Sequence, residues 1–180
     1  MKLQKNNSHT VQVYDVIPKD FCEILIDVFE NTKSGHEYIN NDYTPCFTQL
    51  NLNQHQPEVV EVLVKYTQKV YGMYASDVNN KFLPRLRSLE EFRIKRYEPG
   101  GEQRFDEHVD VASYASARRA LAFLFYLNDN DGDTHFTQSG LYIRPRCGKV
   151  LVFPPTWEYP HAGLVPSKTK YIMSTYIHYE

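Results

Sequence analysis

The sequence predicts a mainly β chain with added α-helix: a double-sheet jelly roll (a double-stranded β-helix) with two N-terminal helices packed on one outer face. Three observations lead there. Helical apolar spacing is confined to the first half of the chain. From Glu90 onward, about eight short strands follow one another between turn signals. The 180 residues are 42% hydrophobic with 14 Tyr and 10 Phe, enough apolar material for the core of a single domain.

The first helix is expected to open at Pro18, a favourable first-turn residue. Phe21, Ile24, Leu25, Val28 and Phe29 then recur at helical spacing, and Gly35 is the expected stop. Residues 36–56 are polar and rich in Asn, Gln and Tyr, with one strand expected around Phe47–Leu52. This stretch reads either as a lid or acceptor groove or as a mobile surface loop without a role. Pro57 starts the second helix, with Val59, Leu63, Tyr66, Val70 and Tyr74 on one stripe. A partner-binding groove is the alternative for both stripes, and burial against a sheet is the favoured reading. Residues 1–85 thus form a helical support for a core of about residues 90–179.

The core strands are expected at Phe92–Tyr97, Glu107–Val111, Arg119–Asn128, Thr134–Thr137, Leu141–Arg144, Lys149–Phe153, Glu158–Ala162 and Lys170–Tyr179. Turns fall at Pro99-Gly100-Gly101, Asn130-Asp131-Gly132, Ser139-Gly140, Cys147-Gly148 and Pro154-Pro155. Side chains alternate across a strand, so Leu121, Phe123, Phe125 and Leu127 form one bulky face of the third strand. Its other face carries Ala120, Ala122, Leu124 and Tyr126. The two alanines leave space there, either for a ligand cavity or for close packing of a second sheet.

A net charge of −2 gives no reason to expect electrostatically driven binding to nucleic acid or membrane. Cys22, Cys46 and Cys147 are odd in number, widely spaced and without a Cys-x-x-Cys, so neither a disulfide framework nor a thiolate zinc site is expected. Residues 1–7 lack the apolar stretch of a signal peptide, and no run has the length of a membrane span. A cytoplasmic location is therefore expected.

His108-Val109-Asp110 places an imidazole and a carboxylate at i and i+2, on one side of an extended segment. His161 is the natural third ligand. Two histidines and one carboxylate on one face of an ion form the facial triad that binds Fe(II) and leaves positions open for other ligands. The dipeptide alone is common enough by chance to carry little weight. A cation downstream adds context. Lys170 opens the last strand and shares a face with Ile172, Ser174 and Tyr176. An inward lysine is penalised unless an anion meets it, as the far carboxylate of a chelating 2-oxo diacid would. The alternative is an exposed strand-entry lysine, a role that Lys168 also suits.

With these residues in order, the second half resembles the prolyl 4-hydroxylase branch of the Fe(II)/2-oxoglutarate-dependent dioxygenases. Arg96-Tyr97-Glu98-Pro99-Gly100-Gly101 looks like that family's Tyr-x-Pro-Gly segment, and His108-Val109-Asp110 like its His-x-Asp. Phe125-Tyr126-Leu127-Asn128 is similar to its Tyr-Leu-Asn strand end, and Gly132-Asp133-Thr134-His135-Phe136 to Gly-Gly-Glu-Thr-x-Phe. Arg144–Phe153 resembles its Pro-x-x-Gly and apolar strand, and His161 and Lys170 close the series. The resemblance implies that His108, Asp110 and His161 bind iron. It implies that Lys170 pairs with the distal carboxylate of 2-oxoglutarate, that Tyr97 and Tyr126 hydrogen-bond that cosubstrate, and that Ser174 or Tyr176 adds contacts. O2 is the co-reactant and ascorbate a candidate reductant. The implied reaction is hydroxylation of an unactivated C–H bond, with a prolyl residue of a protein or peptide as the leading acceptor. A free amino acid or other small molecule is the alternative acceptor, and a non-catalytic metal- or 2-oxoglutarate-binding jelly-roll module the alternative class.

Two departures stand out. Gly-Glu-Thr is replaced by Gly-Asp-Thr, and residues 111–117 are short and small where the family often covers its acceptor. The complete triad argues against related halogenases. Lys170, without an arginine pair spaced after His161, argues against the nucleic-acid demethylase branch. His135 is read as structural or as a support to the ligands, and His9, His36, His55 and His178 have no supporting context.

Overall fold

The computed structural model describes residues 10–41 and 44–179, which leaves His9 outside. Its elements are β1 (Gln12–Asp15), α1 (Lys19–Asn31), β2 (His36–Asn41), β3 (Thr44–Asn51), α2 (Leu52–His55), α3 (Pro57–Val78), β4 (Arg93–Tyr97), β5 (Phe105–His108), β6 (Arg119–Tyr126), β7 (Thr134–Phe136), β8 (Leu141–Ile143), β9 (Lys149–Phe153), β10 (His161–Gly163) and β11 (Lys170–His178). Seven strands form a large sheet in the order β1-β9-β6-β11-β4-β3-β2, and four form a small one, β5-β10-β7-β8. Every pairing is antiparallel. This is the expected jelly roll.

The central strands of the large sheet separate two cores by parity. Leu121, Phe123, Phe125, Leu127, Met173 and Ile177 pack outward with Leu25 and Phe29 of α1 and Leu63, Val70 and Tyr74 of α3. Ala122, Tyr126, Leu151, Phe153 and Ile172 pack inward with Phe136 of the small sheet. Both helical stripes are therefore buried faces. That of α1 is rotated from the expected one: Cys22, Leu25 and Phe29 are buried, while Ile24 is half exposed. Spacing alone allowed either of two adjacent stripes, and contact with the sheet selected one. On α3, Thr67 is fully buried because its hydroxyl donates to the Leu63 carbonyl within the helix.

Residues 36–56 depart most from expectation. β2 and β3 form a hairpin that extends the edge of the large sheet, and α2 follows. The stretch is sheet rather than a free lid or loop, and only residues 42–43 lie outside the described part. As an edge strand β2 needs no continuous apolar face, so its polar sequence concealed it. β1, a four-residue edge strand against β9, is concealed in the sequence for the same reason.

Near the expected metal ligands, two strand boundaries also shift. β5 ends at His108, and Asp110 lies beyond it. Its only ladder partner among the described residues, β10, starts at His161, and the rung His161–His108 is the last. β10 starts there because Pro160 cannot donate to a ladder and the Tyr159 N–H is already turned back onto the Thr156 carbonyl. His161 thus begins its strand instead of closing it.

Phe123 is fully buried between the large sheet and the helices. Phe123→Ala should lower unfolding free energy by about 3–5 kcal/mol in denaturant titration, and a cost below about 1 kcal/mol would contradict this packing.

Candidate metal centre and cavity

One atom each from His108, Asp110 and His161 lies within 4.8 Å of the others, with no other such cluster of three or more His, Cys, Asp or Glu among the described residues. His108 Nε2 is 3.7 Å from Asp110 Oδ1, and His161 Nε2 is 3.7 Å from Oδ2. The two imidazoles come from adjacent strands of the small sheet. The carboxylate comes from the loop after β5, which the Val111 N–H ties to the Pro155 carbonyl.

Each imidazole is oriented by its own strand. His108 Nδ1 donates to the Asp106 carbonyl at 2.8 Å and His161 Nδ1 to the Tyr159 carbonyl at 3.0 Å. A carbonyl can only accept, so both Nδ1 atoms carry the proton and both Nε2 lone pairs face the carboxylate. Phe105 stacks on His108 at 3.6 Å, and Phe136 and Phe153 flank His161. Burial holds His161 below the usual imidazole range, more than the Asp110 charge raises it, so it stays neutral and able to ligate. Burial acts to raise the Asp110 carboxyl, but His108, His161 and the Tyr176 hydroxyl outweigh it and bring it down to about 2. The donor set of two neutral imidazoles and one carboxylate suits a divalent metal of borderline character.

A chain of contacts supports Asp110 from the large sheet. The Tyr176 hydroxyl donates to Asp110 Oδ1 at 2.7 Å. Arg119 lies over the Tyr176 ring at 4.1 Å and donates to the Asp110 carbonyl at 3.0 Å. Glu90 accepts from Arg119 Nε at 2.7 Å and from His178 Nε2 at 2.7 Å. His178 therefore has a context after all. No local pattern marks Glu90 and Arg119, which are 29 residues apart in the chain and meet through the fold.

The triad opens into a cavity whose lining includes Lys95, Tyr97, Phe105, Thr134, Lys170, Ile172, Ser174 and Tyr176. Lys170 lines it as a buried side chain, with Nζ donating to the Gly132 carbonyl at 2.5 Å and standing 5.5 Å from the centre of the Tyr97 ring. Burial pushes it down to about 8 against the raising effect of Asp133 and Asp131. Burial likewise raises the Tyr97 phenol, which stays a neutral donor. Tyr126 is buried behind the lining, and its hydroxyl donates to Thr134 Oγ1 at 2.8 Å. His135 stacks on Tyr142 at 4.0 Å and is not among the lining residues. Lys95 also lines the cavity, and nothing local in the sequence distinguishes it from an exposed strand lysine.

Residues 92–178 match the family model of the 2OG-Fe(II) oxygenase superfamily. This half of the chain is a 2OG-Fe(II) oxygenase domain. No curated protein matches the sequence significantly. Among solved structures, the fold is similar to a viral collagen prolyl hydroxylase from Paramecium bursaria Chlorella virus-1 in a 2OG complex, at TM-score 0.74, 19% identity and coverage of 95% of this chain and 97% of that one. It is similar to a Pseudomonas putida prolyl-4-hydroxylase at TM-score 0.74 and 17% identity, covering 96% and 94%. It is also similar to a Trichoplax adhaerens prolyl hydroxylase in complex with a hypoxia inducible factor peptide fragment, at TM-score 0.73 and 15% identity, covering 96% and 84%. The oxygenase domain and the elements before it thus share a prolyl-hydroxylase-like fold, and no helix among the described residues is long and apolar enough to cross a membrane.

If Tyr176 holds the Asp110 carboxylate for a metal, Tyr176→Phe should weaken Fe(II) or Mn(II) affinity about tenfold while the fold survives, as read by metal titration beside circular dichroism. Unchanged affinity would remove that role.

Proposed function

We propose that the oxygenase domain binds Fe(II) through His108, Asp110 and His161 and hydroxylates a prolyl residue of a protein or peptide. The observation that carries this is that the triad and the buried Lys170 line one cavity in a 2OG-Fe(II) oxygenase domain. Fe(II), when bound, supplies oxygen activation coupled to decarboxylation of 2-oxoglutarate to succinate and CO2. The protein supplies placement and dryness. Lys170 pairs with the distal carboxylate of 2-oxoglutarate, where a buried ammonium gains most from an anion. The Tyr97 hydroxyl donates to the same cosubstrate, and Tyr126 acts through Thr134, whose hydroxyl it orders. Phe105, Phe136 and Phe153 keep water from the imidazoles. Ascorbate would serve as external reductant. A proline acceptor is supported by the prolyl hydroxylases that share the fold, one of them described with a bound peptide.

The test is succinate formation from 2-oxoglutarate under Fe(II) and O2, with a +16 Da product (one added oxygen atom) on proline-containing peptides. His108→Ala and Asp110→Ala should abolish both signals. Confirmed metal binding with no succinate would overturn the oxygenase reading for this chain.

Lys170→Met should raise the 2-oxoglutarate concentration for half-saturation by about tenfold or more while iron affinity holds. The pH dependence has a definite sign. Below about pH 8 the Lys170 ammonium is present in the empty site. Above it, binding the anion must first take up a proton, so 2-oxoglutarate affinity should fall as pH rises through 8. A flat calorimetric affinity between pH 7 and pH 9 would contradict the assignment.

A further inference from the structure

Lys95 is a second cation in the same cavity. It stands two residues before Tyr97 on β4, on the same inward face, with Gln49 of β3 and Ile172 of β11 as its ladder neighbours. Its Nζ lies 5.2 Å from the centre of the Phe47 ring and 5.8 Å from that of Phe105. Phe105 in turn stacks on His108, so the ammonium belongs to the metal side of the cavity. Among the described residues no hydrogen-bond acceptor or carboxylate pairs with it. Lys170, by contrast, has the Gly132 carbonyl.

Lys95 is half-buried where Lys170 is buried, and the two rings compensate only part of the hydration that its ammonium loses. Burial accordingly pushes Lys95 down to about 8, although Asp110 opposes that shift. A cation left unpaired in a lined cavity is costly to the empty protein, and an anion arriving with a ligand removes the cost. The proposed function already assigns the carboxylates of 2-oxoglutarate, one to Lys170 and the other to the metal end. A third anionic group must come from the acceptor.

We propose that Lys95 binds a carboxylate of the acceptor, so that the preferred substrate carries this anion beside the carbon that is hydroxylated. This rests on the oxygenase reading and narrows its substrate class. A prolyl residue flanked by uncharged residues lacks the group. Free proline supplies it as its α-carboxylate, and a peptide supplies it through an acidic residue next to proline.

Two matched pairs of probes separate these sources: L-proline with L-prolinamide, and acetyl-Asp-Pro-Gly-amide with acetyl-Asn-Pro-Gly-amide. The first readout is binding to the Mn(II)- and 2-oxoglutarate-loaded protein, followed through paramagnetic relaxation of the probe's proton signals. The second is kcat/KM for hydroxylation by the Fe(II) enzyme. In the wild type the carboxylate member of one pair should exceed its neutral partner by about tenfold or more in both readouts. Lys95→Met should bring that ratio to about 1 with 2-oxoglutarate half-saturation unchanged, and Lys95→Arg should restore much of it. The proposal is overturned if the loaded wild-type protein prefers neither carboxylate. It is equally overturned if Lys95→Met keeps the preference, or raises the 2-oxoglutarate requirement instead. Failure of 2-oxoglutarate itself to relax beside Mn(II) would bring down the oxygenase reading, a separate outcome from failure of the Lys95 assignment.

Discussion

The hydrogen bond from Tyr176 to Asp110 joins the two sheets at the triad. Both imidazoles belong to the small sheet, where one ladder rung, His161–His108, aligns them. The carboxylate sits on a loop past the end of that ladder and would be free to turn away. A phenol from the centre of the large sheet holds it, and Arg119 and Glu90 hold the phenol's surroundings. The geometry of the triad is therefore a property of how the two sheets face each other. The outer core of α1 and α3 contributes by keeping the large sheet in one shape behind β6 and β11.

Charge and burial are coupled throughout the cavity. The carboxylate of Asp110 is stabilised in its ionised form by His108, His161 and the Tyr176 hydroxyl, and burial of His161 preserves its lone pair. The two lysines are in the opposite situation. Burial works against their charge, which makes each a site where an anion is favoured. On the proposed function, a cavity arranged in this way favours ligands that carry carboxylates over neutral ones.

Legibility followed the range of the interactions. The inward face of Lys170, Ile172, Ser174 and Tyr176 was readable because strand parity is a local rule, and all four line the cavity. The split of β6 into a bulky and a roomy face was readable for the same reason. The edge strands β1 and β2 were not, since an edge strand needs no apolar pattern. Nor were the rotation of α1 by one stripe and the end of β5 at His108, because each depends on which partner lies opposite.

By itself, the sequence determined the jelly-roll class, the helices that cover it, and the residue types His108, Asp110, His161 and Lys170 in an order that resembles one enzyme family. It could do so because periodicity, turn chemistry and ligand type are written within a few residues of each position. Only the tertiary structure decided that Asp110 reaches the imidazoles from beyond its strand, that Tyr126 stands behind Thr134, and that Lys95 faces the same cavity as Lys170. Those outcomes are set by contacts between sheets, and no local pattern encodes which side chain a distant strand will bring alongside.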